Sequence, residues 1–156
     1  MSSFAPTGNA SARAAEPIQN NGFWPTIDPA EFRDVRRLDG TVTPPRVQDA
    51  LLTAMATVNR VLRDWQARQI DAGHQQVQDV TPPSWQPPGI YLALYRRAVY
   101  ATAHAAIVEA YRDYDATAST RDRGDLQEYA GDSYRRDASW AISEIMGRPH
   151  VTVELI

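Results

Sequence analysis

The chain has 156 residues, 43% of them hydrophobic and 22% charged, which fits one globular domain and is short for a two-domain enzyme. It contains no cysteine, so disulfide frameworks, thiolate nucleophiles, iron–sulfur clusters and cysteine-ligated zinc are excluded together. A net charge of −3 and a pI near 5.6 exclude coating of nucleic acid through bulk positive charge. No stretch approaches the uninterrupted apolar length that spans a bilayer, which predicts a soluble protein without membrane contact. All 16 basic residues are arginine. That removes lysine chemistry, from Schiff bases to the Walker lysine, and leaves planar guanidinium forks suited to carboxylates on neighbouring subunits.

The pattern predicts an all-α domain: about three long helices and a short N-terminal one, with an extended arm before them and a short strand after. Residues 1–22 read as the arm, polar and with only isolated apolar side chains, unable to bury enough surface to order on their own. No secretory signal is present, so export is not expected. In Asp28-Pro29-Ala30-Glu31, Asp28 can cap a helix, Pro29 suits its first position and Glu31 can close a capping box. The helix is predicted to reach about Leu38, with Gly40 as its stop. From Thr43-Pro44 the strongest helix follows, its apolar stripe drawn through Val47, Leu51, Ala54, Val58, Val61 and Trp65. Gly73 closes it in the left-handed conformation, giving a rod of about 43 Å.

Residues 74–88 carry four prolines and form a stiff connector that no helix crosses. A second long helix is predicted from Pro88 to about Asp113, apolar around much of its circumference and therefore central. A loop from Ala116 to Gly124 leads to a third, capped at Asp125-Leu126-Gln127-Glu128 and stopped at Gly147. Its buried side is expected to carry Leu126, Tyr129, Tyr134, Ala138, Ala141, Ile142 and Ile145. His150 to Ile156 alternates as a short strand. The organisation is thus 1–22 arm, 23–149 helical domain and 150–156 docking strand.

Candidates for chemistry are sparse. His74, His104 and His150 lie in three separate segments with no pair at ligand spacing, so metal binding is not expected and His104 reads as a core histidine. Asp113, Asp115, Asp122 and Asp125 gather near a loop beside Arg112, Arg121 and Arg123, a composition more typical of a self-paired surface than of a magnesium site. No nucleophile elbow, phosphate loop, dinucleotide fingerprint or zincin motif occurs. The reading is therefore no catalytic residue, no cofactor and no metal. Arg36-Arg37, Arg96-Arg97 and Arg135-Arg136 sit on helices, where charge paired in place, as Arg60 with Asp64, competes with contact to a neighbour or to phosphate. Trp24 and Trp85 fall in proline-rich, non-helical segments, which makes them the better candidates for interface anchors. Partner-binding residues are accordingly expected at Trp24, Trp85, His150, Val151, Thr152, Val153, Glu154, Leu155 and Ile156, the strand adding to another chain's sheet edge. An arm, a bridge and a strand without a home in their own fold describe an assembly component.

Several stretches resemble the head-completion proteins of the gpL type from contractile-tailed bacteriophages: Phe23-Trp24-Pro25-Thr26-Ile27-Asp28-Pro29, Thr41-Val42-Thr43-Pro44, Ala54-Met55-Ala56-Thr57-Val58-Asn59, Tyr95-Arg96-Arg97-Ala98-Val99, Tyr111-Arg112-Asp113, and Tyr134-Arg135-Arg136-Asp137-Ala138-Ser139-Trp140-Ala141. Order and spacing hold over about residues 23–156. The resemblance implies a structural virion protein that joins the portal after DNA packaging and forms the neck collar to which the tail attaches. Its partners would be the portal protein, tail-terminator or neck proteins and further copies in a twelve-fold ring. The genome would slide through a channel of like charge without specific binding. Assembly would take place in the host cytoplasm. The competing reading is a DNA-binding or nuclease accessory to packaging, resting on the arginine pairs and the acids at 113–125.

Overall fold

The computed structural model describes residues 16–115 and 121–149, with side chains described outside 112–130. In chain order they form α1 (Pro29–Arg36), α2 (Pro44–Asp71), a single 3-10 turn (Val77–Asp79), α3 (Ile90–Asp115) and α4 (Arg121–Ile145). The fold is all-α, with three long helices and a short first one, as the hydrophobic periodicity predicts. The expected strand at 150–156 and the arm up to residue 15 lie outside the described residues. Among those described, β-type pairing is confined to one antiparallel bridge, in which Ile18 and Ile27 exchange N–H···O bonds of 2.7 and 3.0 Å.

Local chemistry sets most boundaries. The Asp28 carboxylate accepts from the Ala30 N–H at 2.8 Å and Pro29 opens α1, placing an acceptor where helical N–H groups have none. Glu31, expected as the other half of a capping box, faces Arg96 instead. The helix stops before Leu38 and not at Gly40: Arg37 takes the left-handed conformation at φ 52° and Leu38 N–H bonds back to the Arg33 carbonyl at 3.0 Å. Half-buried Leu38 packs against the core, the hydrophobic contact that accompanies this type of ending. At the end of α2, Gly73 adopts φ 97° and His74 N–H bonds to the Gln69 carbonyl, so that glycine acts as the stop its position predicted.

Helix α2 buries Val47, Leu51, Ala54, Met55, Val58, Leu62 and Trp65. Val61, placed on this stripe from sequence, is 46% exposed. Residues three and four beyond Val58 compete for the same face, and the larger Leu62 takes it. Two cross-helix series fix the packing. Gln86, just ahead of α3, meets Glu144, Arg97 meets Asp137 and His104 meets Tyr134, so α4 runs antiparallel to α3. Tyr95 meets Asn59, Tyr91 meets Trp65 and Tyr111 meets Arg46, so α2 does the same on the other side. The alanine-rich α3 is therefore the middle layer, with Tyr95, Ala98, Val99, Ala101 and Ala103 fully enclosed. Helix α4 begins at Arg121, so Asp125 lies one turn inside it and is not its cap. Ala138, Ala141 and Ile145 are buried as expected and Tyr134 and Ile142 are half-buried, while the side chains of Leu126 and Tyr129 lie outside those described.

Candidate functional site

Trp24 was the first candidate anchor for a partner, and the structure corrects this. The ring is 3% exposed, stacked on Tyr95 at 4.4 Å between centroids and on Trp65 at 5.6 Å, with Phe23 edge-on at 5.0 Å. An indole held on three sides by its own chain is a core residue. Two asparagines bring it there. Asn21 Oδ1 accepts from the N–H groups of both Phe23 and Trp24, a turn that Asn side chains favour. Asn20 closes a ring of hydrogen bonds: its Nδ2 donates to the Tyr95 hydroxyl at 2.7 Å, that hydroxyl donates to Asn59 Oδ1 at 2.7 Å, and Asn59 Nδ2 donates to Asn20 Oδ1 at 2.9 Å. Burial pushes the Tyr95 hydroxyl up to about 12, so it stays a donor at any physiological pH.

These contacts also correct the expectation that the end of the arm and the proline connector have no home in their own fold. Ile18 is 8% exposed and paired with Ile27, and Asn20 ties α2 to α3. In the connector, Val77 and Val80 are buried and the Val77 N–H bonds to the Phe23 carbonyl at 3.0 Å. No periodic signal marks Ile18, Asn20 or Asn59 as structural, since each acts through residues distant in sequence.

Trp85 is different. It is 74% exposed, while the next residue, Gln86, is half-buried and donates from Nε2 to Glu144 at 2.9 Å. The connector is thus fastened on either side of the indole, at Val80 and at Gln86, and presents it outward. His150, Val151, Thr152, Val153, Glu154, Leu155 and Ile156 lie outside the described residues, as do the side chains of Asp113, Asp115, Asp122 and Asp125.

Most arginines singled out from sequence bind their own chain. Arg36 pairs with Asp137 at 3.7 Å and lies 5.7 Å from the centre of the Tyr134 ring. Arg97 shares that aspartate, Arg96 faces Glu31 at 3.7 Å, and Arg135 holds Glu109 and Asp132. Arg136 covers the Trp140 ring. The pairing foreseen between Arg60 and Asp64 is replaced by one between Asp64 and its neighbour Arg63 at 3.3 Å.

Beside α1 a cavity of about 330 Å³ opens between the 36–42 turn and α3, lined by Arg37, Leu38, Val42, His104, Ile107 and Val108 among others. His104 is a core residue as expected, 9% exposed and stacked on Tyr134 at 4.1 Å, but its Nδ1 is buried without a partner. Burial, and then the Arg36 charge, push it down to about 4. Among the described residues no three His, Asp or Glu side chains gather as they would around a metal ion.

The phage head completion protein (GPL) family model matches residues 18–156. The chain belongs to this family. Its matched region starts at Ile18, the first buried residue among those described. The chain is 35% identical over 139 residues to the head completion/stabilization protein of Escherichia phage P2, covering 89% of this chain and 82% of that one. It is 26% identical over 141 residues to the probable head completion/stabilization protein of Haemophilus phage HP1, covering 89% and 91% respectively. No solved structure matches it. Membership in the head completion family assigns the chain a structural role in finishing the phage head, and so a place in the virion.

Proposed function

We propose that this chain finishes the head as a ring collar between portal and tail, added once the genome is packaged. The observation that carries the reading is the outward presentation of Trp85 on a connector fastened at both sides, in a chain of the head completion family. A large aromatic held in water by a rigid loop is the kind of residue that anchors an interface. Residues 150–156 would dock on the portal as an added strand. Tail-terminator or neck proteins would take the opposite face, and copies of the chain, twelve by analogy with related adaptors, would pack side by side. A net charge of −3 suits a channel through which DNA slides, because a basic lining would hold phosphates by releasing their counterions.

The rival reading, a DNA-binding or nuclease accessory, needs arginines available to phosphate. Arg36, Arg96, Arg97 and Arg135 are occupied by Asp137, Glu31, Glu109 and Asp132, which favours the collar. Cryo-electron microscopy of DNA-filled heads with and without the purified chain tests it: the expected result is a ring of added density on the portal. An unchanged portal vertex, together with tight and salt-steep DNA binding in a mobility-shift series, would reverse the preference. Removal of residues 150–156 is expected to preserve the helical circular dichroism and to abolish attachment to portal rings.

A further inference from the structure

The two ends of α3 carry complementary shapes. At its start Trp85 stands in solvent. Toward its far end lies the 330 Å³ cavity, walled by Leu38, Val42, Ile107 and Val108, with exposed Arg37 and Asp39 at its mouth. A cavity of roughly 150 Å³ holds a benzene ring, so this one has room for the larger indole. The indole of the same chain cannot fill it. The residue after Trp85, Gln86, is bonded to Glu144 at 2.9 Å, which holds Trp85 beside the start of α3, whereas His104 and Ile107 in the cavity wall lie about 21 Å and more beyond Ile90 along the helix.

Charge points the same way. Residues 71–89 carry Asp71 and Asp79 and no arginine, and Glu144 is bonded to Gln86 beside Trp85. Residues 33–46, which frame the cavity, carry Arg33, Arg36, Arg37 and Arg46 against Asp34 and Asp39. With Arg36 paired to Asp137, Arg33, Arg37 and Arg46 still outnumber Asp34 and Asp39, so a mildly acidic end bearing an aromatic knob complements a mildly basic end bearing an apolar hole.

We propose that Trp85 of one copy inserts into the cavity between the 36–42 turn and α3 of the next copy, head to tail. This rests on the collar reading and names the contact that joins its subunits. The inserted ring packs on Leu38 and Val108, Arg37 lies against its face, and the Asp39 carboxylate is at hand for the indole N–H. Because knob and hole are different surfaces, the contact is heterologous, and it closes when the rotation between copies divides a full turn.

The absence of cysteine makes the test direct. Ser84→Cys places a thiol beside the knob, and Gly40→Cys places one at the cavity mouth, where an added Cβ meets nothing within 4 Å. The two variants are mixed on DNA-filled heads and oxidised mildly. The mixed disulfide is expected to exceed either homodimer by about tenfold, and Trp85→Ala in the Ser84→Cys chain should return the products to a statistical mixture. The doubly substituted chain should give a ladder of multimers. Heads that bind the chain but yield a statistical mixture, no cross-link, or an internally bridged monomer overturn the knob-in-hole contact while leaving the collar standing. A chain that fails to bind heads at all overturns both.

Discussion

Burial holds His104 neutral at physiological pH, and this has a measurable cost in acid. Its ordinary value of 6.5 falls to about 4 in the folded chain, so between those values the unfolded state takes up a proton that the native state refuses. Stability therefore rises with pH across this window and is lost as pH falls from 6.5 toward 4, by at most about 3 kcal/mol. His104→Phe preserves a ring to stack on Tyr134 and removes the titration. Denaturant midpoints at pH 7 and pH 5 should show the variant losing less stability than the parent. Trp24 gives a second residue-scale expectation. As the filling of a pocket formed by Phe23, Trp65 and Tyr95, its truncation to Ala should cost about 3–5 kcal/mol. Asn20→Ala opens the hydrogen-bond ring with Asn59 and Tyr95 and should cost about 1–3 kcal/mol by the same measurement. Trp24 was legible as an aromatic in a proline-rich segment, but its burial was not. Whether such a ring points inward depends on Trp65 and Tyr95, distant in sequence.

Helix α2 shows what periodicity decides at the scale of an element. Val47, Leu51, Ala54, Val58 and Trp65 were assigned correctly because they recur every three or four residues, yet the stripe passes through Leu62 and leaves Val61 in solvent. Leu62→Ala is expected to destabilise by about 2–5 kcal/mol, and Val61→Ala to stay within about 0.5 kcal/mol; equal losses in thermal unfolding would contradict this register. Helix ends divide in the same way. Asp28 and Gly73 mark theirs through local chemistry that sequence states outright, and Asp28→Ala should cost about 1 kcal/mol. Arg37, a non-glycine residue at φ 52°, ends α1 because Leu38 is drawn onto the core, a cause outside the helix.

For the whole molecule, α3 is the organising layer. Helices α2 and α4 each run antiparallel to it, while residues 18–27 and the connector are bonded across one end. That arrangement leaves Trp85 outside at one pole and the cavity lined by Leu38 and Val108 near the other. The sequence by itself determined the helical class, the central place of the alanine-rich third helix and, through the ordered set of matching stretches, the family, since periodicity, capping residues and motif order are properties of the chain read locally. Only the tertiary structure decided which aromatic is core and which is surface, that Ile18 and the connector pack on their own chain, and that most of the arginine pairs are satisfied within it. Those outcomes depend on which distant groups meet, and the free energy of burying or pairing a side chain is set by its neighbours in space.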